Sequence, residues 1–167
     1  MFLITGLPRS RTAWLANLLT TRETLCHHEG LIEARNKSEY EAMLYSDTAT
    51  VGDANTILAL PCYSEVLELT TKVVVIHRKI EEVIRSSEVF LGASLEGKVQ
   101  VFEEQSYRLG KIRGLHINFE DINQRIQEIW EYCTPEPFSR VRTNKLMQLN
   151  VQTMNKKYNL SNLWSTT

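Results

Sequence analysis

Short apolar runs separated by polar stretches predict a set of buried β-strands in this chain. Four runs are clear, at Phe2–Thr5, Thr24–His27, Lys72–His77 and Leu115–Phe119, and a weaker fifth lies near Thr50–Val51. The third run contains Val-Val-Val-Ile, and such a continuous β-branched run is typical of a strand covered on both faces, as in a parallel sheet. We therefore expect a buried, mostly parallel sheet.

Helical patterns alternate with these strands. Ser38 and Glu41 are spaced as a capping box. In the last predicted helix, one face carries Ile122, Ile126, Ile129 and Trp130. The predicted helices are Thr12–Thr20, Ser38–Leu44, Ser64–Thr70, Ile80–Phe90, Glu96–Leu109 and Asp121–Tyr132. Because strands and helices alternate, we expect a three-layer α/β/α fold with a mostly parallel central sheet, built as a single domain over residues 1–167.

The sequence after Arg142 is polar and rich in Asn. We expect an edge strand at Gln148–Gln152 and a loosely ordered C-terminal tail from about residue 153.

Composition limits the classes of partner. The chain has 167 residues, is 43% hydrophobic and carries a formal net charge of −1. A chain so close to neutral has no overall field that attracts nucleic acid or a membrane, and no apolar run reaches the length of a membrane helix. Cys26, Cys62 and Cys133 share no metal-ligand spacing, and no basic leader precedes the first apolar run. We therefore expect a cytoplasmic protein without a metal, and neither nucleic acid nor a membrane as a partner.

The first predicted strand runs into a loop suited to an anion. The strand ends at Gly6 and turns into a helix, whose first backbone N–H groups and dipole favour negative charge. Arg9 can fork onto phosphate oxygens, and the hydroxyls of Ser10 and Thr12 add donors. The alternative is an ordinary strand-to-helix turn with an exposed Arg.

This loop departs from the usual nucleotide P-loop, Gly-x4-Gly-Lys-Ser/Thr. Counted from Gly6, Arg11 stands at the second Gly, Thr12 at the Lys, and Ala13 at the hydroxyl residue that holds magnesium. Without the Lys and the metal hydroxyl, hydrolysis of ATP or GTP is not expected.

The loop instead resembles the Pro-Lys/Arg-Ser-Gly-Thr-Thr-Trp-Leu signature of sulfotransferases, here Pro8-Arg9-Ser10-Arg11-Thr12-Ala13-Trp14-Leu15. The resemblance implies a P-loop nucleoside triphosphate hydrolase-like fold and 3′-phosphoadenosine 5′-phosphosulfate (PAPS) as the co-substrate, with its 5′-phosphosulfate held by the loop. Two positions depart from the signature, because Arg11 replaces Gly and Ala13 replaces the second Thr. The binding residues implied are Gly6, Pro8, Arg9, Ser10, Arg11, Thr12, Ala13 and Trp14.

A second motif supports the resemblance. Sulfotransferases follow the central strand with an Arg and, eight residues later, a Ser, and both hold the 3′-phosphate. Arg78 and Ser86 have that spacing here. The alternative is a solvated Arg and a helix-surface Ser. The segment Leu115–Asp121 is similar to a later strand and acidic turn of the family, so the resemblance covers about residues 1–133. No match to the family's C-terminal Arg-Lys-Gly-x-x-Gly loop is evident.

Candidates for catalysis follow the second and the weaker strand. Arg9 would neutralise charge on the transferred group, and His28 or Glu29 could accept the acceptor's proton. The family's catalytic His is absent, and Asp53 and Asn55 are the polar residues closest to its place. Asp53 is thus a further candidate base, or else stabilises an Asx-type turn.

These observations favour a sulfotransferase-like enzyme that transfers a sulfuryl group from PAPS to a small-molecule hydroxyl or amine acceptor. Two alternatives stay open: a P-loop kinase of a small molecule or nucleotide, and a non-catalytic protein that binds nucleotides or anions.

Overall fold

The computed structural model describes residues 1–45, 49–60 and 64–149. The five strands are β1 (Phe2–Gly6), β2 (Thr24–His28), β3 (Thr50–Ala54), β4 (Val73–His77) and β5 (Leu115–Asn118). They form one sheet of order β2-β3-β1-β4-β5, in which every neighbouring pair is parallel. The predicted parallel sheet is therefore confirmed, and the weak fifth run is a full strand between β2 and β1.

Helices connect these strands. They are α1 (Thr12–Leu19), α2 (Gly30–Glu33), α3 (Lys37–Leu44), α4 (Ser64–Leu67), α5 (Ile80–Leu91), α6 (Val99–Leu109), α7 (Ile126–Cys133) and α8 (Arg140–Met147). Short 3₁₀ turns lie at Thr56–Ala59, Glu96–Lys98 and Phe119–Asp121.

Residues that alternate along the strands supply two separate cores. Phe2 and Ile4 of β1 point into a core shared with α1 and α7, whereas Leu3 points into a core shared with α3, α5 and α6. All three side chains are fully buried, as the period of two along a strand requires for a sheet covered on both faces. The three-layer α/β/α prediction is thus confirmed.

Two glycines are fixed by close packing. A Cβ on Gly6 would lie 2.8 Å from the carbonyl oxygen of Ile76 in β4, and a Cβ on Gly52 would lie 2.3 Å from the ring of Phe2. Gly6 is therefore needed where β1 approaches β4, and it does not adopt a left-handed conformation.

Several predicted boundaries differ from the structure. The helix expected from Asp121 begins at Ile126, because the 3₁₀ turn at Phe119–Asp121 and the residues after it intervene. Helix α8 was not predicted, and Gln148, the first residue of the expected edge strand, lies in a turn just after it. The described residues end at Leu149, so residues 150–152 of that strand and the tail from about residue 153 lie outside them.

Contacts with α1 hold α8 in place, although its sequence is strongly polar. Arg142 donates from Nη2 to the carbonyl of Asn17 at 2.7 Å and from Nε to that of Leu18 at 2.9 Å, and it also reaches the carbonyl of Thr20. These carbonyls lie at the C-terminal end of α1, where the helix itself supplies no donor. Trp14 Nε1 adds a hydrogen bond to the carbonyl of Leu146 at 3.1 Å.

Candidate functional site

The loop between β1 and α1 has an unusual backbone. Arg9 and Arg11 have φ values of 66° and 63°, in the left-handed region, although neither is glycine. For a residue with a Cβ this conformation costs about 1–2 kcal/mol. Such strain concentrates at functional sites. Here it presents both Arg side chains to the same cavity, whose lining includes both residues.

Ser10 lies between the two left-handed residues. Its side chain is fully buried, and its Oγ has no hydrogen-bond partner among residues 1–45, 49–60 and 64–149. A buried hydroxyl without a partner is costly in a folded protein. The loop thus contains a hydroxyl group whose hydrogen-bonding capacity is unused within the described residues.

Arg78 and Ser86 both lie close to Arg9. Arg9 Nε donates to Ser86 Oγ at 3.3 Å, and Arg78 Nη1 donates to the backbone carbonyl of Arg9. Arg78 also forms an ion pair with Glu82, in which Nε lies 3.5 Å from Oε2. The two motifs, which are far apart in sequence, therefore form one cluster, with Arg9 directed toward Ser86.

Aromatic rings line this basic cluster. The Arg9 guanidinium lies 4.4 Å from the ring centre of Phe90, and that of Arg78 lies 4.0 Å from the ring centre of Phe119. Arg11 lies 5.4 Å from the same Phe119 ring and donates to Asn123 Oδ1 at 2.7 Å. These cation–π distances are typical of attractive contacts, so the rings hold the guanidinium groups in position.

The guanidinium group of Arg78 repels those of Arg9 and Arg11. The pKa values of Arg9 and Arg11 are lowered, chiefly by burial and then by the positive charge of Arg78. Arginine stays charged at neutral pH despite such shifts. The cluster therefore carries unfavourable like-charge energy that an anion would relieve.

His28 and Glu29 lie on the opposite side of the loop. His28 Nε2 lies 3.5 Å from Thr12 Oγ1, and Glu29 Oε1 accepts a hydrogen bond from Thr56 Oγ1 at 3.2 Å. Burial lowers the pKa of His28, although the nearby carboxylates, Glu29 first among them, act in the opposite direction. His28 is thus neutral near pH 7 and able to accept a proton.

Asp53 lies apart from these groups, in a buried network. Its carboxylate is fully buried and accepts hydrogen bonds from the backbone N–H of Gly30 at 2.9 Å and of Leu31 at 3.3 Å, from Tyr40 Oη at 2.9 Å and from Asn55 Nδ2 at 3.3 Å. Burial and Asp53 together raise the pKa of Tyr40. These four hydrogen bonds join β3 to the segment after β2, so the geometry supports a structural anchor at Asp53.

One cavity of about 700 Å³ unites most of the predicted site. Of the predicted residues, those that line it are Pro8, Arg9, Arg11, Thr12, Ala13, Trp14, His28, Glu29, Arg78 and Ser86. Gly6, Ser10 and Asp53 are not part of the lining. The cavity lies at the carboxyl ends of the strands, around β1, where open α/β sheets bind their ligands.

Sequence reasoning missed other lining residues, among them Thr56, Phe90, Phe119, Asn123 and Met147. One of them carried a signal, because Phe90 follows Ser86 by one helical turn and so shares its face. Asn123 carried none, since its place depends on the 3₁₀ turn after β5.

The fold and the cavity define a parallel α/β protein with a loop of arginine and hydroxyl residues at the centre of its sheet, and this fold is that of the sulfotransferases. The crystal structure of mouse sulfotransferase SULT7A1 complexed with PAP superposes on this chain with a TM-score of 0.57 at 14% sequence identity. The match covers 88% of this chain and 62% of that one, so the chain spans less than two thirds of the enzyme's length. No protein-family model and no curated protein matches the sequence.

Within the residues that the structure describes, no helix is both long and apolar enough to cross a membrane.

Proposed function

We propose that this protein is a sulfotransferase-like enzyme, which transfers a sulfuryl group from PAPS to a hydroxyl group of a small-molecule acceptor. The observation that carries the proposal is the meeting of Arg9, Arg78 and Ser86 in one cavity. Their spacing resembles the two phosphate motifs of sulfotransferases, and their positions form a single basic site.

The residues present fit the nucleotide. Arg78 and Ser86 would hold the 3′-phosphate, and Arg9, Ser10 and Thr12 the 5′-phosphosulfate. Two observations support this fit: the repulsion of Arg9 and Arg11 by Arg78, and the buried Ser10 hydroxyl, which has no partner among the described residues. Both would be relieved by a bound anion.

His28 is the residue that we assign as the general base. Its Nε2 faces Thr12, the first residue of the helix that follows the loop, and its lowered pKa keeps it neutral. In the transfer, the acceptor oxygen forms a new S–O bond as the S–O bond to the 5′-phosphate breaks. The acceptor's proton passes to His28 Nε2, and Arg9 stabilises the charge on the leaving phosphate.

Nucleotide binding gives the first test. The desulfated nucleotide 3′-phosphoadenosine 5′-phosphate (PAP) should raise the melting temperature of the protein, because a ligand that binds only the folded state stabilises it by mass action. ATP with magnesium should have a much smaller effect, since Thr12 and Ala13 replace the P-loop Lys and metal hydroxyl. Absence of a shift at millimolar PAP would refute the proposal, and magnesium-dependent ATP turnover would favour the kinase alternative.

Transfer gives the second test. Radiolabelled sulfate from PAPS should appear in an acceptor, and His28→Asn should abolish transfer while PAP affinity is retained. His27→Asn is the matched control, because His27 neighbours His28 in β2 but does not line the cavity. PAP binding without transfer to any acceptor in a broad panel would instead identify a non-catalytic nucleotide-binding protein.

A further inference from the structure

The cavity has two chemically different sides. Arg9, Arg11 and Arg78 lie around the loop and on the β4 side of β1, whereas His28 ends β2 and Glu29 follows it. Phosphate and sulfate oxygens would be matched by the arginines. The side with His28 and Glu29 therefore keeps the negative charge of the Glu29 carboxylate, which an anionic nucleotide does not neutralise.

Glu29 is the carboxylate on that side. Its φ of 60° is left-handed, and its backbone N–H is fixed by a hydrogen bond to the carbonyl of Ala54 at 3.0 Å. The carboxylate accepts a side-chain hydrogen bond from Thr56. No ion pair forms between Glu29 and any Lys, Arg or His among the residues that the structure covers. A lining carboxylate fixed in this way, without a cation, is a binding group for a cationic ligand.

We propose that Glu29 selects acceptors that carry an ammonium group close to the hydroxyl that reacts, such as amino sugars and other amino alcohols. This inference rests on the proposed function. Glu29 and His28 are consecutive residues that line one wall, so an ammonium group held by Glu29 brings a nearby hydroxyl to His28. The ammonium stays protonated throughout, and the hydroxyl oxygen forms the new S–O bond while its proton passes to His28 Nε2.

The test compares pairs of acceptors in which one member carries an ammonium group that the other lacks. D-glucosamine and D-glucose form one pair, and tyramine and 4-ethylphenol form a second with a longer spacer. Their affinities for the protein saturated with PAP are measured by calorimetry. We expect the amine of at least the first pair to bind about tenfold more tightly, the change that one ion pair of roughly 1.4 kcal/mol produces, and 0.5 M salt to reduce this preference.

Two variants assign the preference to one carboxylate. Glu29→Gln keeps the size of the side chain and an acceptor for Thr56, and it should reduce the affinity ratio of each preferring pair to near one. Glu33→Gln is the matched control, because Glu33 is exposed at the end of α2, the short helix that Glu29 precedes, and also acts electrostatically on His28. It should leave the ratio unchanged.

The outcomes separate this inference from the function on which it rests. Failure of PAP to bind would overturn both. PAP binding and sulfate transfer, with the neutral member of each pair bound as tightly as the amine, would overturn only the role of Glu29. The same conclusion follows if the amine is preferred but Glu29→Gln keeps the preference.

Discussion

Arg78→Ala is the substitution that tests the nucleotide site most directly. The Arg78 side chain is only 13% exposed, and it contacts the backbone of Arg9, the carboxylate of Glu82 and the ring of Phe119. If the proposed function is right, the same guanidinium holds the 3′-phosphate. Adenosine 5′-monophosphate lacks that phosphate and is otherwise identical to PAP, so it reports every other effect of the substitution.

The expected magnitude follows from the kind of bond that is lost. A hydrogen bond to a charged group contributes about 1.5–3 kcal/mol, which corresponds to a loss of roughly 10- to 150-fold in affinity. Removal of Arg78 also frees the Arg9 carbonyl, so the loop relaxes and both nucleotides bind more weakly. The ratio of the two affinities cancels this shared effect and isolates the 3′-phosphate contact.

Titration calorimetry on the wild type and on Arg78→Ala, with each nucleotide, gives this ratio. Ser86→Ala should reduce it in the same direction, by a smaller factor. Arg85→Ala removes the same charge from the exposed side of α5, next to Ser86 but outside the cavity, and should leave the ratio unchanged. If Arg78→Ala weakens PAP and adenosine 5′-monophosphate equally, the assignment of the 3′-phosphate site is wrong.

Three further predictions concern the base, the buried network and the last described helix. If His28 is the base, kcat/KM is level near neutrality and falls as the pH falls through the lowered pKa of His28, which lies below the ordinary value of about 6.5. A pH dependence of kcat/KM that is unchanged in His28→Asn would exclude His28 as the base. Asp53→Asn should lower the free energy of unfolding, measured in urea, by about 1–3 kcal/mol, because a buried donor loses its acceptor. If the variant loses sulfuryl transfer while its free energy of unfolding is unchanged, Asp53 belongs to the chemistry instead. Arg142→Ala should lower the free energy of unfolding by about 2–3 kcal/mol in the same assay, since it removes charged hydrogen bonds to the end of α1. The control Arg140→Ala, at an exposed position, should change it by less than about 0.5 kcal/mol. Equal effects of the two substitutions would contradict the role of Arg142.

The sheet could be predicted from the sequence because its signals are local. Val73–Ile76 is apolar at every position, and a strand buried on both faces needs nothing else to be recognised. The weak run at Thr50–Val51 was harder, since β3 continues through Gly52 and Asp53, which are both depleted in strands. Gly52 is nevertheless needed there, because the ring of Phe2 occupies the space of a side chain.

Helix α8 and the role of Asp53 could not be predicted from the sequence, because both depend on contacts with distant residues. The α8 sequence lacks an apolar face, and its position depends on Arg142 reaching carbonyls more than 120 residues earlier in the chain. Asp53 seemed as suited to catalysis as to a turn, and only the fold shows that Tyr40 and two backbone N–H groups occupy its oxygens. Side-chain networks between distant residues leave no periodic signal in a sequence.

The order of the strands accounts for the chemical division of the cavity. In the order β2-β3-β1-β4-β5, the loop after β1 lies between two pairs of strands. Arg78 follows β4 on one side of it, and His28 is the last residue of β2 on the other. An in-line transfer needs the leaving group and the attacking group on opposite sides of the atom that is transferred. In the proposed transfer, the arginines on one side of this central loop would hold the leaving phosphate, and the imidazole on the other side would accept the proton. Residues far apart in sequence come together there because each lies at the end of the correct strand.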